Sequence, residues 1–312
     1  MTTTRPFRNA VPMTAPAPTP GGYTTPEMHD ALRRLCAAAD LDPAGFTLMR
    51  GQTNAVVRLA SAPVVVKIAR RGTSHDRVRQ TIDLVQWLTA RNFPTVPLHP
   101  VEQPIAIDQY IGTFYTYLPQ PQAPVPTVDL AHPLRELHAA GLPPTPLPGL
   151  DAVAAIRHSL SAATTLPTRD HRFLTQRINQ LASDLAALRY DLRPAVLHGD
   201  PQHGNALHGT SRALLCDWDS AVLGQPEWDL VTIEVHTRRF GHGRDSYDAF
   251  AEAYGYDITS WSGYRTLRDL RELRMISTNA RKSANDPDKM SEVIRRINGL
   301  REQDAKLAWH IM

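Results

Sequence analysis

The 312 residues contain only two cysteines, Cys36 and Cys216. That number excludes a disulfide framework, and neither C-x-x-C nor H-E-x-x-H is present to argue for a redox pair or a zinc site. Cys216 ends an apolar run and is expected to be a buried thiol. No apolar run approaches the ~20 residues that a membrane span needs. Neither sign of charge dominates: 34 basic residues against 31 acidic ones leave a formal charge of +3. A pI near 8.9 does not imply nucleic acid when no basic patch is concentrated in sequence. The first 26 residues hold no apolar segment of secretory type. These absences lead to the expectation of a cytoplasmic protein that engages neither membrane nor nucleic acid. With 42% hydrophobic residues and a mean hydropathy of -0.32, the chain can bury a core and stay soluble.

Proline is plentiful, and it marks boundaries. Fifteen of the 26 prolines fall in residues 1–26 and 119–149. Such stretches resist helix and sheet. The expected division is a Pro/Thr-rich disordered tail over 1–26, a first lobe over 27–117, a linker over 118–128 and a second lobe over 129–312. A chain of this length accommodates two domains. No internal repeat is found.

The most informative stretch is His198-Gly199-Asp200-Pro201-Gln202-His203-Gly204-Asn205, followed by Cys216-Asp217-Trp218-Asp219. Apolar residues 194–197 and 213–216 read as short buried strands that deliver Asp200 and Asp217 at their ends. A carboxylate beside a hydroxyl can orient it and take its proton. An amide oxygen and a second carboxylate can hold Mg²⁺, a hard cation that prefers oxygen ligands and keeps several waters. Phosphoryl transfer asks for little more than in-line positioning and charge neutralisation. Each motif alone is an ordinary turn; their order and spacing give them meaning. The step from Asp200 to Asn205 matches the H-x-D-x-x-x-x-N loop of protein kinases. Asp-Phe-Gly and Ala-Pro-Glu are absent, however, which argues against a protein kinase.

Together with Gly224-x-Pro226-x-Trp228-Asp229-Leu230, these residues resemble the superfamily of aminoglycoside phosphotransferases and choline kinase-like small-molecule kinases. The match is specific from about Pro194 to Leu230. The resemblance implies an α+β, two-lobed, protein-kinase-like fold, with a small antiparallel-sheet lobe and a mainly helical lobe. It implies Asp200 as the catalytic base and Asn205 and Asp217 as Mg²⁺ ligands. Asp219 matches a second acidic position at the metal site, and Asp229 a structural anchor. ATP or GTP is the implied co-substrate, and a small-molecule hydroxyl the implied acceptor.

Upstream, residues 46–59 read as strand, tight turn and strand, and a turn containing Gly51 can lie close to phosphates. A lysine within the apolar run Val64–Ala69 is unusual, since a buried charge needs a partner. Lys67 matches the family lysine that contacts the α- and β-phosphates; the alternative is an edge-strand lysine facing solvent. Kinases pair this lysine with a helix Glu. The expected helix over 76–91 contains no Glu, and Asp83 is the candidate in its place. Residues 112–119 read as the last strand of the lobe running into a hinge. By the resemblance, adenine is bound there by backbone groups around Tyr117 and Leu118. His138 is read as a packing residue.

The rest reads as mostly helical. Leu174, Ile178, Leu181, Leu185 and Leu188 form a core-facing stripe, expected to lie beneath the catalytic loop. Arg265, Arg268, Arg271 and Arg274 recur every three residues and are read as a solvated helix face. For the acceptor, Glu227, Asp229 and Glu234 could attract a cation, and Arg238-Arg239 an anion. Amino sugars, aminoglycoside-type antibiotics and amino alcohols head the acceptor classes. A nucleotide-binding module without catalysis is the alternative from another class, motivated by the missing helix Glu.

Overall fold

The computed structural model describes residues 20–51, 53–283 and 286–312. The chain divides into two compact units. The smaller holds the residues up to Val78 and His99–Tyr117; the larger holds Arg79–Leu98 and Leu118–Met312.

The smaller unit opens with helix α1 (Thr25–Ala38). Thr24 and Glu27 close a reciprocal capping box, and Pro26 sits where a missing N–H costs nothing. Of the expected tail 1–26, residues 1–19 lie outside the described residues. Residues 20–26 belong to the fold: a 3₁₀ turn spans Pro20–Gly22, and the Gly21 N–H donates to the Gly51 carbonyl at 3.0 Å. The strands are β1 (Thr47–Arg50), β2 (Ala55–Arg58) and β3 (Val64–Ile68). Helix α2 (His75–Thr89) follows, then β4 (Ile105–Ile107) and β5 (Tyr110–Thr116). All strand pairs are antiparallel, in the order β1-β2-β3-β5-β4. Alternate residues of β3 (Val64, Val66 and Ile68) are buried with Leu32, Leu35 and Cys36 of α1. Val65 and Lys67 point to the other face.

The boundary between units falls inside α2. Its second half buries Leu84, Val85, Trp87 and Leu88 in the core of the larger unit, so this half and the following loop leave the linear segment 27–117. Residues 118–126 carry no helix or strand. The larger unit continues with α3 (Ala131–Ala139), α4 (Ala152–Ser161) and α5 (Thr168–Ala186). Four short strands follow: β6 (Ala195–Leu197), β7 (Ala206–His208), β8 (Ala213–Leu215) and β9 (Val222–Gly224). It closes with α6 (Glu227–Arg239), α7 (Arg244–Tyr254), α8 (Tyr264–Lys282) and α9 (Pro287–Arg301). Strand β6 pairs with β9, and β7 with β8.

Leu174, Ile178 and Leu181 are buried as their spacing predicts. Yet α5 packs against α4, α8 and α9; the helix against β6 is α3. The stripe is therefore a helix-packing surface rather than the floor of the Asp200 loop. Helix α6 is buried nearly all round, including Glu227, Asp229, Thr232, Glu234 and Arg239. A helix that buries so many polar groups must pair them, and those pairs shape the site.

Candidate active site

Strand β6 runs into His198, Gly199 and Asp200. Asp229, buried on α6, fixes this turn by accepting the His198 and Gly199 amides at 2.7 and 2.9 Å. His138 Nε2 approaches the same carboxylate at 3.2 Å, and its Nδ1 lies 2.8 Å from the Tyr254 hydroxyl. His138 is thus a packing residue, as its position in the sequence indicated. Gly199 has φ +80°, and a Cβ there would stand 2.2 Å from the Ser220 carbonyl oxygen. Only glycine satisfies both conditions.

His198 joins the two motifs. Its ring is fully buried, lies 4.8 Å from the Trp218 ring and places Nε2 2.9 Å from the Cys216 carbonyl. Asn205 adds a second tie, because its carbonyl accepts the Cys216 amide at 2.9 Å. The side-chain nitrogen of Asn205 donates to the Asp200 carbonyl at 2.9 Å and lies 3.4 Å from the Asp200 carboxylate. The Asn205 amide oxygen is then the atom left to face a cation. Asp217 follows at once, with its backbone left-handed at φ 63° and its side chain exposed. Non-glycine residues in this region concentrate at functional sites. Asp219 is half-buried in the 3₁₀ turn Trp218–Ser220. Asn205 and Asp217 supply hard oxygen donors of the kind that hold Mg²⁺ against phosphates. Cys216 is half-buried rather than buried, because it lies where the strand ends and the Asp217 turn begins.

Asp200 has a partner the sequence reading missed. Arg271 of α8 donates to its carboxylate, and the Arg271 side chain is almost fully buried, 5.7 Å from the Trp228 ring centre. Burial alone would raise the Asp200 pKa. The charge of Arg271, followed by His236 and the Arg271 hydrogen bond, outweighs it and holds the carboxylate below its ordinary range. The reading of the four arginines as one solvated face fails at Arg271. Three residues turn a helix by about 300°, so a three-residue repeat drifts around it. Arg271 falls on the buried stripe of Leu267 and Leu270. His236 lies nearby with its Nε2 buried and unpartnered among the described residues. Burial, then the Arg271 charge, lowers its pKa to about 3.

The acids read as attractors for a cationic acceptor are consumed internally. Glu227 accepts the Asp191 and Leu192 amides, Asp229 holds the turn, and Glu234 pairs with Arg238. Arg238 and Arg239 both bind Glu272, so they offer no anion site.

In the smaller unit, Lys67 stands opposite Val56 of β2 and Thr113 of β5. It is on an interior strand, which removes the edge-strand alternative. Gly51 follows β1 with its carbonyl engaged by Gly21; Gln52, next to it, lies outside the described residues. The Tyr117 N–H donates to the Pro63 carbonyl at 2.8 Å, and the Arg58 guanidinium lies 4.0 Å from its ring centre. In the larger unit, Leu118 lines a cleft of about 490 Å³ with Phe93, Pro94 and the β7–β8 turn. Asp83 accepts the Thr145 hydroxyl at 3.1 Å.

Residues 47–270 match the model of the APH phosphotransferase enzyme family. The chain belongs to this family. It is therefore a small-molecule phosphotransferase, a kinase with a hydroxyl acceptor. Among solved structures, the amicoumacin kinase hAmiN, in complex with AMP-PNP and Ca²⁺, is similar at 14% identity and a TM-score of 0.72. The match covers 92% of this chain and 98% of that one. A choline/ethanolamine kinase family protein from Mesorhizobium loti is similar at 19% identity and a TM-score of 0.63, over 89% and 95% of the two chains. The choline kinase LicA from Streptococcus pneumoniae is similar at 13% and 0.63, over 88% and 99%. No curated protein matches the chain in sequence. These likenesses establish the kinase-like α+β fold of this APH-family member.

Proposed function

We propose that this phosphotransferase moves the γ-phosphoryl group of ATP or GTP, bound with Mg²⁺, onto a hydroxyl of a small molecule, with Asp200 as the base. The observation that carries this reading is the tied set of Asp200, Asn205 and Asp217, in which Asn205 touches both Asp200 and the Cys216 amide beside Asp217. The Asn205 amide oxygen and the Asp217 carboxylate, with Asp219 in support, would hold Mg²⁺, which would supply neutralisation of phosphate charge. Lys67 and the Gly51 turn serve the phosphates, and backbone groups around Tyr117 and Leu118 serve the base. Asp83 is the acid offered in place of the helix Glu, and within the larger unit its carboxylate accepts the Thr145 hydroxyl.

The acceptor oxygen attacks the γ-phosphorus, forming one P–O bond as the bond to the β-bridging oxygen breaks. The acceptor proton passes to Asp200, and the nucleoside diphosphate leaves with the bridging oxygen. The Arg271 bond to one carboxylate oxygen of Asp200 keeps it ionised and leaves the other oxygen for the acceptor. Such a base contributes about 10²–10⁴ in rate. Asp200→Asn should lower kcat by that order while nucleotide affinity, read by calorimetry, stays within about threefold. Unchanged turnover would remove Asp200 from the mechanism. Nucleotide binding that needs Mg²⁺, with no product on any acceptor, would instead support the non-catalytic module.

A further inference from the structure

Beside the Asp200 loop, and wholly within the larger unit, lies an open cleft of about 170 Å³ between residues 124–128 and α7. Val125, Val128 and Ala249 give it apolar walls, and His203 brings it to the loop, three residues beyond Asp200. The His203 and His242 rings lie 4.2 Å apart at its side. Its polar groups form a one-way chain. The Ser246 hydroxyl donates to Thr127 Oγ1 at 2.8 Å. Thr127 Oγ1 lies 3.4 Å from His203 Nε2, and His203 Nδ1 lies 2.9 Å from the Val125 carbonyl. A carbonyl only accepts, so Nδ1 carries the proton and Nε2 accepts from Thr127. Every donor of the chain is used, and hydroxyl lone pairs remain for a ligand.

We propose that this cleft holds the acceptor, and that the acceptor is an uncharged ring compound bearing several hydroxyls, a neutral sugar or cyclic polyol. The inference rests on the kinase reading above and narrows its acceptor. A polycationic acceptor needs unpaired carboxylates, and none lines the cleft. Asp129, Asp245 and Asp248 flank it in sequence but are exposed and outside its lining, and Asp248 is paired with Arg244. Deeper, Asp229, Glu234 and Glu272 are engaged by the protein, and Glu227, whose Oε1 accepts two amides while Oε2 has no partner among the described residues, is fully buried and outside the lining. An anionic acceptor needs a spare cation. Arg271 gives one guanidinium nitrogen to Asp200, and neither it nor Arg274, which binds the Ser159 and Thr278 hydroxyls, lines the cleft. His236 and His242 both have lowered pKa values, burial being the first cause of each. Apolar and aromatic walls with hydroxyl acceptors suit a ring whose faces are apolar and whose edges donate. Transfer then proceeds as above, the ring hydroxyl giving its proton to Asp200.

The test is phosphoryl transfer from ATP with Mg²⁺, read by mass spectrometry, on four acceptor sets: neutral hexoses and cyclitols, kanamycin, choline and hexose monophosphates. The expected result is a phosphorylated neutral ring, formed about 10²–10⁴ slower with Asp200→Asn. Ala249→Trp, at an exposed helix position that tolerates bulk, should raise the acceptor KM about tenfold or more and change kcat less. Ser246→Ala should raise it severalfold. Product on kanamycin, choline or a hexose phosphate with no neutral ring modified would overturn the inference and leave the kinase reading standing. Neutral product with KM unmoved by both variants would overturn the location. No product from any set would count against the kinase reading and this inference together.

Discussion

At Gly199 two demands meet on one residue. The turn into Asp200 needs φ +80°, and the Ser220 carbonyl occupies the place of any Cβ. Gly199→Ala should therefore cost at least about 2 kcal/mol and displace Asp200. Urea denaturation and kcat would both register it; an unchanged midpoint would contradict the close approach. That Asp200 and Asn205 share one turn was legible in the sequence, because residue type and spacing within a single turn determine it. Arg271 was not legible as the partner of Asp200. Its pairing joins residues 71 positions apart, and no local pattern encodes a contact of that range. The trace it did leave was its place on the stripe of Leu267 and Leu270, hidden by the more conspicuous three-residue arginine repeat. Glu227 misled for the same reason, since a carboxylate satisfied by distant amides looks in sequence like a free one, whereas Glu234 pairs with Arg238 at a helical spacing that the sequence did show.

Among the elements, α6 organises the catalytic loop. Its Asp229 accepts two buried backbone amides, and removal of the carboxylate orphans both. Each orphaned donor costs about 1–3 kcal/mol. Asp229→Ala should thus lose several kcal/mol of stability in a denaturant titration, and activity with it. About two turns further along, His236 sets an acid limit. Its folded pKa of about 3 lies below the ordinary 6.5. Between those values the unfolded chain binds a proton that the folded one refuses. Stability from this group is complete above pH 6.5 and falls as pH drops towards 3, by up to about 1.4 kcal/mol per unit. His236→Leu should shrink that acid loss, as measured by stability at stepped pH. An identical pH profile would mean the imidazole is not buried as a neutral group. Short buried strands and the core stripe of α5 were readable from period and turn residues. What each stripe packs on was not, and α5 lies on α4, α8 and α9 instead of under the loop.

Across the whole molecule, residues 118–126 carry no helix or strand, and one boundary between the units falls within a continuous helix. Periodicity shows that α2 is amphipathic; it does not say that Leu84, Val85, Trp87 and Leu88 belong to the second core. Membership in the APH phosphotransferase family rests on residues 47–270, a span that covers Lys67 in one unit and Asp200, Asn205 and Asp217 in the other. The proposed function gives each residue in that set a part in passing a phosphoryl group to a hydroxyl at Asp200. The most direct measurement is the mass of the product: ATP or GTP, Mg²⁺ and an acceptor panel incubated with the wild-type protein and with Asp200→Asn. The account predicts one added phosphoryl group on an acceptor with the wild-type protein and product formation about 10²–10⁴ slower with the variant. Equal product from both would contradict it.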